Sequence, residues 1–188
     1  MQINIEKTCL DDVILIVPEL YIDNRGSFSE FYRSDQFKNL NLPQNFNQFN
    51  YSFSQKNVLR GLHFQWNPPM GKMMRVSKGS AFLVAVDIRV NSPNLGKYYS
   101  IILSENDKKF LYAPDGFARG FCVTSDYAEI EYFCTNVYNK NCESGILWND
   151  KEINIQWPIP NPILTEKDKN AFKLSDWLKK EEALFFKK

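Results

Sequence analysis

Ser80-Ala81-Phe82-Leu83-Val84-Ala85-Val86-Asp87-Ile88 puts Phe82, Val84, Val86 and Ile88 on one side of an extended chain, a period of two that a helix would scatter. Asn91-Ser92-Pro93-Asn94 then turns the chain. The same pattern recurs outward from this run. Val13 to Val17 is a β-rich stretch ended by Pro18, and Ser100 to Leu103 is a further strand candidate. Lys109 to Ala113 is another, ended by Pro114-Asp115-Gly116. Ala128 to Thr135 alternates, with Ala128, Ile130, Tyr132 and Cys134 on one side. Helix signals are few. Ser34 or Asp35 predicts a cap for a short helix through Leu40. Ser175 predicts a cap for a C-terminal helix from Asp176 to about Phe186, with acids early and lysines late. Many short strands with little helix predict an all-β protein, a sandwich or barrel of jelly-roll type. No internal repeat, low-complexity tract or Pro/Gly/Ser linker interrupts the chain, so residues 1–188 read as a single domain.

Composition narrows the functions open to such a domain. Hydrophobic residues make up 44% and aromatics 15%, ample for a core. A net charge of +1 gives no electrostatic case for nucleic acid or a membrane surface. No apolar run approaches the ~20 residues of a spanning helix. The start, Met1-Gln2-Ile3-Asn4-Ile5-Glu6, lacks the pattern of a signal peptide. The four cysteines, Cys9, Cys122, Cys134 and Cys142, form no C-x-x-C pair. They read as reduced, mostly packed thiols of a cytoplasmic protein.

The chain holds a single histidine, His63, within Leu59-Arg60-Gly61-Leu62-His63-Phe64-Gln65. One histidine cannot build a multi-histidine metal site, so proton transfer is the chemistry expected of it. Arg60 adjoins it and Lys72 follows, and a base near cations suits a reaction that passes through an anion. Arg60 has opposite strand parity to His63, and both enter one cavity only if Gly61 supplies a bulge or bend. The turn Pro68-Pro69-Met70-Gly71-Lys72 is stiff enough to aim Lys72. Tyr132 reads as core or, in a polar cavity, as a proton donor. Gln48, Asn50 and Ser52 alternate with Phe49, Tyr51 and Phe53. That row is either the wet face of a strand with an aromatic core face, or the polar lining of a barrel pocket. Asp23-Asn24-Arg25-Gly26 marks a turn, where Arg25 serves solubility or grips a phosphate. No Gly-rich phosphate loop is present, so a bound nucleotide would be held by side chains and stacking.

Taken in order, the segments resemble a known family. They include Asp23 to Glu30, Gln48 to Ser52, Val58 to Gln65, Val86 to Arg89 with Ser92-Pro93, and Pro114 to Ala118. They continue through Tyr132 to Cys134, Tyr138-Asn139, Gly145 to Asp150, Ile155 to Pro158 and Leu164 to Asp168. The chain resembles the dTDP-4-dehydrorhamnose 3,5-epimerases and related nucleotide-sugar epimerases of the cupin fold. The resemblance implies a jelly-roll homodimer that epimerises a dTDP-linked 4-keto-6-deoxyhexose without metal or cofactor. It implies His63 as base, Asp168 as its orienting partner, Lys72 at the enolate oxygen, Tyr132 as acid on the opposite face, and Arg60 against the substrate. It also implies that Arg25, Phe28, Glu30, Gln48, Asn50 and Tyr138 hold the nucleotide, some of them across the dimer. One departure stands out. The family commonly has His where this chain has Arg119, in Gly116-Phe117-Ala118-Arg119-Gly120-Phe121. Arginine can stabilise an oxyanion but cannot relay a proton. The alternatives are therefore an epimerase of carbon 3 or carbon 5 alone, a ketoisomerase on another nucleotide sugar, and a non-catalytic sugar-nucleotide-binding cupin.

Overall fold

The computed structural model describes residues 2–187. Extended backbone dominates it. The strands are β1 (Ile3–Lys7), β2 (Ile14–Pro18), β3 (Tyr21–Asp23), β4 (Gly26–Phe28), β5 (Gln48–Gln55) and β6 (Leu59–Gln65). They continue with β7 (Lys72–Asp87), β8 (Tyr98–Ser104), β9 (Phe110–Ala113), β10 (Phe117–Cys134) and β11 (Glu143–Gly145). Three short helices complete it: α1 (Ser34–Asn39), α2 (Glu166–Lys169) and α3 (Leu174–Trp177).

The run Ser80–Ile88 falls almost wholly in the second half of β7. Its period of two separates two cores. Val84, Val86 and Ile88 join one buried cluster with Phe64, Trp177 and Phe186. Ala81, Leu83 and Ala85 join another with Val13, Phe117 and Ile130. Both faces are therefore dry, which is why the run is nearly all apolar.

β7 and β10 pair antiparallel from Phe117↔Asp87 to Cys134↔Lys72, and this long ladder spans two half-sheets. In one, β1, β2, β9, the first part of β7, the last part of β10 and β5 lie in order. In the other the order is β8, the second part of β7, the first part of β10, β6 and β11. The ladder slips register between Val123 and Ala128. Gly79 sits at the slip with φ +73°, and a Cβ there would lie 2.1 Å from the Tyr127 carbonyl oxygen. Only glycine permits that approach. The face Ala128, Ile130, Tyr132 and Cys134 points inward, the first two fully buried in the interior cluster and Tyr132 packed against it.

Two expected helices differ from the sequence reading. α1 begins after Arg33, and neither Ser34 nor Asp35 caps it. The Asp35 carboxylate instead accepts from Arg33 Nε at 2.7 Å. The C-terminal helix is two pieces: α3, then a 3-10 segment over Glu181–Phe186, with Lys180 extended between them. Ser175 lies inside α3, and the capping carboxylate comes from far along the chain. Asp150 Oδ2 accepts from Leu174 N at 2.7 Å. The buried residues Leu174, Trp177, Ala183 and Phe186 are spaced by threes within each piece, so each short helix turns one apolar side to the sheet.

This C-terminal cover closes the outer face of the half-sheet that carries β6. Trp177 is 1% exposed and meets the Phe64 ring at 4.6 Å. Trp177→Ala is expected to cost about 3–5 kcal/mol of unfolding free energy, measured by urea denaturation. A loss below about 1 kcal/mol would mean that the cover contributes little to the core.

Candidate active site

A cavity of about 250 Å³ opens between the half-sheets, and its wall includes Arg60, His63, Lys72, Arg119, Tyr132 and Asp168. His63 and Arg60 share it despite their parity. The β6–β10 register slips between Arg119 and Phe121. Gly61, at φ +131°, makes the slip possible, since a Cβ there would lie 2.6 Å from Gly120 Cα. The expected bulge is present. Arg60 is more exposed than its apolar neighbours suggest, because its guanidinium reaches outward to Ser54 Oγ at 3.0 Å and the Phe53 carbonyl at 3.3 Å.

His63 Nε2 lies 2.5 Å from Asp168 Oδ1. Asp168 is 3% exposed, and its other oxygen accepts from Thr165 Oγ at 2.9 Å. Thr165 in turn caps α2 by accepting from Asp168 N. Burial pushes the Asp168 carboxyl up, but the His63 and Thr165 contacts outweigh it and hold the group below its ordinary range. A fixed carboxylate thus orients one nitrogen of the ring and leaves the other for a ligand.

The turn before Lys72 is tied down as expected. Gln65 Nε2 donates to Pro68 O at 2.8 Å, Asn136 Nδ2 to Pro69 O at 2.7 Å, and Gly71 N to Thr135 Oγ at 2.8 Å. Lys72 Nζ stands 5.2 Å from the centre of the Tyr132 ring. Burial, and then the Arg119 charge, lower Lys72 to about 8. Arg119 is 3% exposed. Its Nη1 donates to the Ala113 and Pro114 carbonyls, while Nε and Nη2 are buried without a partner. Burial lowers even this guanidinium to about 10. Burial raises the Tyr132 phenol above its ordinary value, which keeps it protonated as a proton donor must be. Among the described residues, no three His, Cys, Asp or Glu side chains converge to hold a metal.

Known proteins resemble this chain in sequence and fold. A model of the dTDP-4-dehydrorhamnose 3,5-epimerase family matches residues 7–176. The dTDP-4-dehydrorhamnose 3,5-epimerase of Shigella flexneri is 46% identical over 175 residues, covering 92% of this chain and 97% of that protein. The enzyme of the same name from Methanothermobacter thermautotrophicus is 43% identical, covering 87% of this chain and 90% of its own length. Among solved structures, a dTDP-6-deoxy-D-glucose-3,5-epimerase from Legionella pneumophila in complex with dTDP-4-keto-L-rhamnose superposes with TM-score 0.89. It is 39% identical, with 93% of this chain and 94% of that one covered.

The chain belongs to the dTDP-4-dehydrorhamnose 3,5-epimerase family. It is an isomerase with the cupin jelly roll of that family. The remaining residues that the sequence pointed to fall in two groups. Gln48, Asn50 and Tyr138 cluster beside the cavity, where Gln48 Nε2 donates to Asn50 Oδ1 at 2.9 Å and Tyr138 N donates to Gln48 Oε1 at 2.8 Å. Arg25 and Phe28 lie outside the cavity, on the exposed β3–β4 hairpin, where Arg25 pairs with Asp23. Glu30 lies beyond it too, near Arg33 and Gln36. On β5 the polar row faces inward, and Phe49, Tyr51 and Phe53 are the exposed face, 49–55% accessible, so the aromatic side is not core.

The sequence reading missed Thr165 and Lys167 on the cavity wall and Glu143 beside it. Thr165-Glu166-Lys167-Asp168 carries a usable signal, a capping Thr followed three residues on by an acid.

Lys72 is a buried cation beside another cation, so its charge destabilises the fold. Its folded value, about 8, lies below the ordinary 10.5. Between those values the unfolded chain binds the extra proton, so stability rises with pH across that window. Lys72→Met is expected to raise the melting temperature at neutral pH and to flatten that rise, as read by calorimetry from pH 7 to 10. A variant that melts lower at pH 7 would show the charge to be compensated.

Proposed function

We propose that this chain inverts carbon 3, carbon 5 or both, beside the ketone of a dTDP-linked 4-keto-6-deoxyhexose, without metal or cofactor. The product would feed deoxysugar and surface-polysaccharide biosynthesis in the cytoplasm, where its four free thiols would stay reduced. The observation that carries this reading is that His63 and Tyr132 enter one cavity from different half-sheets, with Lys72 and Arg119 on the same wall. A proton beside a ketone is too weakly acidic for imidazole alone. The carbonyl oxygen must meet preorganised positive donors as it becomes an enolate, each worth roughly 3–4 kcal/mol of barrier. Lys72 and Arg119 supply that charge, and Arg119 has two guanidinium nitrogens without a partner. His63, its second nitrogen held by Asp168, takes the proton from one face of the ring. Tyr132 returns a proton from the other face. Two groups are needed, because removal and return by His63 alone would exchange the hydrogen without inverting the carbon.

The isotope test follows from that division of labour. In deuterated buffer with dTDP-4-keto-6-deoxyglucose, Tyr132→Phe is expected to keep deuterium wash-in and lose net inversion. His63→Asn is expected to lose both, with rates down about 10³-fold or more. Proton NMR of the sugar reads both and shows which carbons exchange. Normal inversion by folded Tyr132→Phe would remove Tyr132 from the acid's role. Binding of dTDP without any exchange would favour a non-catalytic cupin.

The same proposal includes a homodimer. Phe49, Tyr51 and Phe53 form an exposed aromatic row, and Tyr127 stacks on Phe53 with ring centres 5.6 Å apart. The β3–β4 hairpin adds Ile22 at 76% exposure and Phe28 at 61%. Exposed apolar side chains of this size favour an interface. In the dimer the hairpin would carry Arg25, Phe28 and Glu30 to the nucleotide end of the partner's cavity. Phe49→Glu with Phe53→Glu is expected to halve the mass seen by sedimentation equilibrium and to weaken dTDP binding by at least about tenfold. A monomeric wild type would overturn the dimer.

A further inference from the structure

Where β5, β10 and β7 lie side by side, their inward face is a grid of matched rows. Register pairing sets Asn50 opposite Tyr132, and Tyr132 opposite Met74. The next row is Gln48, Cys134 and Lys72. Cys134 therefore lies two positions from the proposed acid, between Gln48 and the proposed enolate cation. Its thiol is free and fully buried, and the reaction as described does not use it.

The direction of the hydrogen bonds in this grid is fixed from one end. An amide side chain can turn either way, and its partners decide which end donates. Tyr138 N is a backbone amide and can only donate, so Gln48 Oε1 accepts from it at 2.8 Å. Gln48 Nε2 is then left to donate, and Asn50 Oδ1 accepts at 2.9 Å. Asn50 Nδ2 donates in turn, and Cys134 Sγ accepts at 3.7 Å. The sulfur ends the chain and keeps the nitrogen of Asn50, rather than its oxygen, turned toward β10. The same nitrogen acts on the Tyr132 phenol. Burial, the largest influence, raises that phenol, and the Asn50 N–H works against it.

This polarity matters to a proton donor. Once Tyr132 has given up its proton its oxygen is negative, and an N–H beside it favours that charge. A turned amide would face the phenolate with a carbonyl oxygen and oppose the transfer. We propose that Cys134 is a positioning residue for Tyr132, its sulfur holding the Asn50 amide with the nitrogen toward the phenol. The proposal rests on the reading of Tyr132 as acid given above. His63 belongs to β6 and is held by Asp168, outside this chain of amides. Loss of the sulfur therefore touches proton return and spares proton removal.

The test is the ratio of net inversion to deuterium wash-in, read by proton NMR with dTDP-4-keto-6-deoxyglucose in deuterated buffer. That ratio does not depend on how much sugar is bound, and a general loosening of the fold would slow both processes alike. Cys134→Ala removes the acceptor and is expected to lower the ratio about fivefold, with wash-in within about twofold of wild type. Cys134→Ser restores an acceptor and is expected to keep at least about half of the wild-type ratio. Gln48→Glu turns the chain around at its start, because a carboxylate cannot donate to Asn50 Oδ1, and is expected to lower the ratio as Cys134→Ala does. A ratio that does not fall in folded Cys134→Ala overturns the proposal, as does Cys134→Ser with a ratio as low as that of Cys134→Ala. If Cys134→Ala shows no cooperative melt, Gln48→Glu decides, and an unchanged ratio there overturns it. Normal inversion by Tyr132→Phe would instead remove the acid on which this inference rests, and wild type without wash-in would sink the exchange reading itself.

Discussion

The β7–β10 ladder is the constraint on which the site depends. One continuous antiparallel pair crosses from one half-sheet to the other, bending where Gly79 lets the Tyr127 carbonyl come close. Because the pair is continuous, residues near its two ends are set at fixed separation. Lys72 and Tyr132 belong to one end and Arg119 to the other. Neither half-sheet alone holds the proposed acid, base and oxyanion group. The ladder brings them to one cavity without a loop having to order itself, so little entropy is lost when the ligand arrives.

A second close approach refines the first. β6 passes β10 so tightly that Gly61 and Gly120 face each other without side chains. The slip in register there lets Arg60 and His63, of opposite strand parity, both line the cavity. Support for the proposed base passes outward, from His63 to Asp168 and from Asp168 to Thr165, which caps α2. Each step is a short polar contact to a group that is itself held. A base supported in this way keeps one tautomer through the proton transfer.

Much of this was legible in the residues. Period-two runs at Ser80–Ile88 and Ala128–Thr135 predict strands, and both lie in the central ladder. His63, Lys72 and Tyr132 stand out as candidates in the sequence itself, whereas Asp168 is reached through family resemblance, since spacing alone does not select a partner 105 positions away. What stayed hidden depends on tertiary context. Alternation on β5 shows two faces but not which one is inside. The aromatic side suggests core, yet the polar side faces inward next to Tyr132. Helix caps failed for the same reason. Ser175 has the chemistry of a cap, but the Leu174 amide is already taken by Asp150, a residue no local pattern links to it. Glu143 gave no signal, being one acid among many until β11 sets it beside α2.

The electrostatics of the cavity run against stability and toward catalysis. Arg119 is buried and Lys72 half-buried in the same cavity, and neither makes an ion pair with a carboxylate among the described residues. Lost hydration lowers both from their ordinary values, and the Arg119 charge lowers Lys72 further. In an empty cavity this is a cost to the fold, because buried charge is tolerated only when matched. In the proposed reaction a developing enolate would supply the missing negative charge at the moment the barrier is crossed. The ground-state ketone, being neutral, supplies far less. The difference between the two is the differential binding that accelerates a reaction. In the proposed reaction arginine at position 119 would strengthen that difference, because its charge persists across the pH range in which an imidazole would lose it. The same permanence lowers Lys72 and ties the useful pH range to the lysine rather than to the arginine.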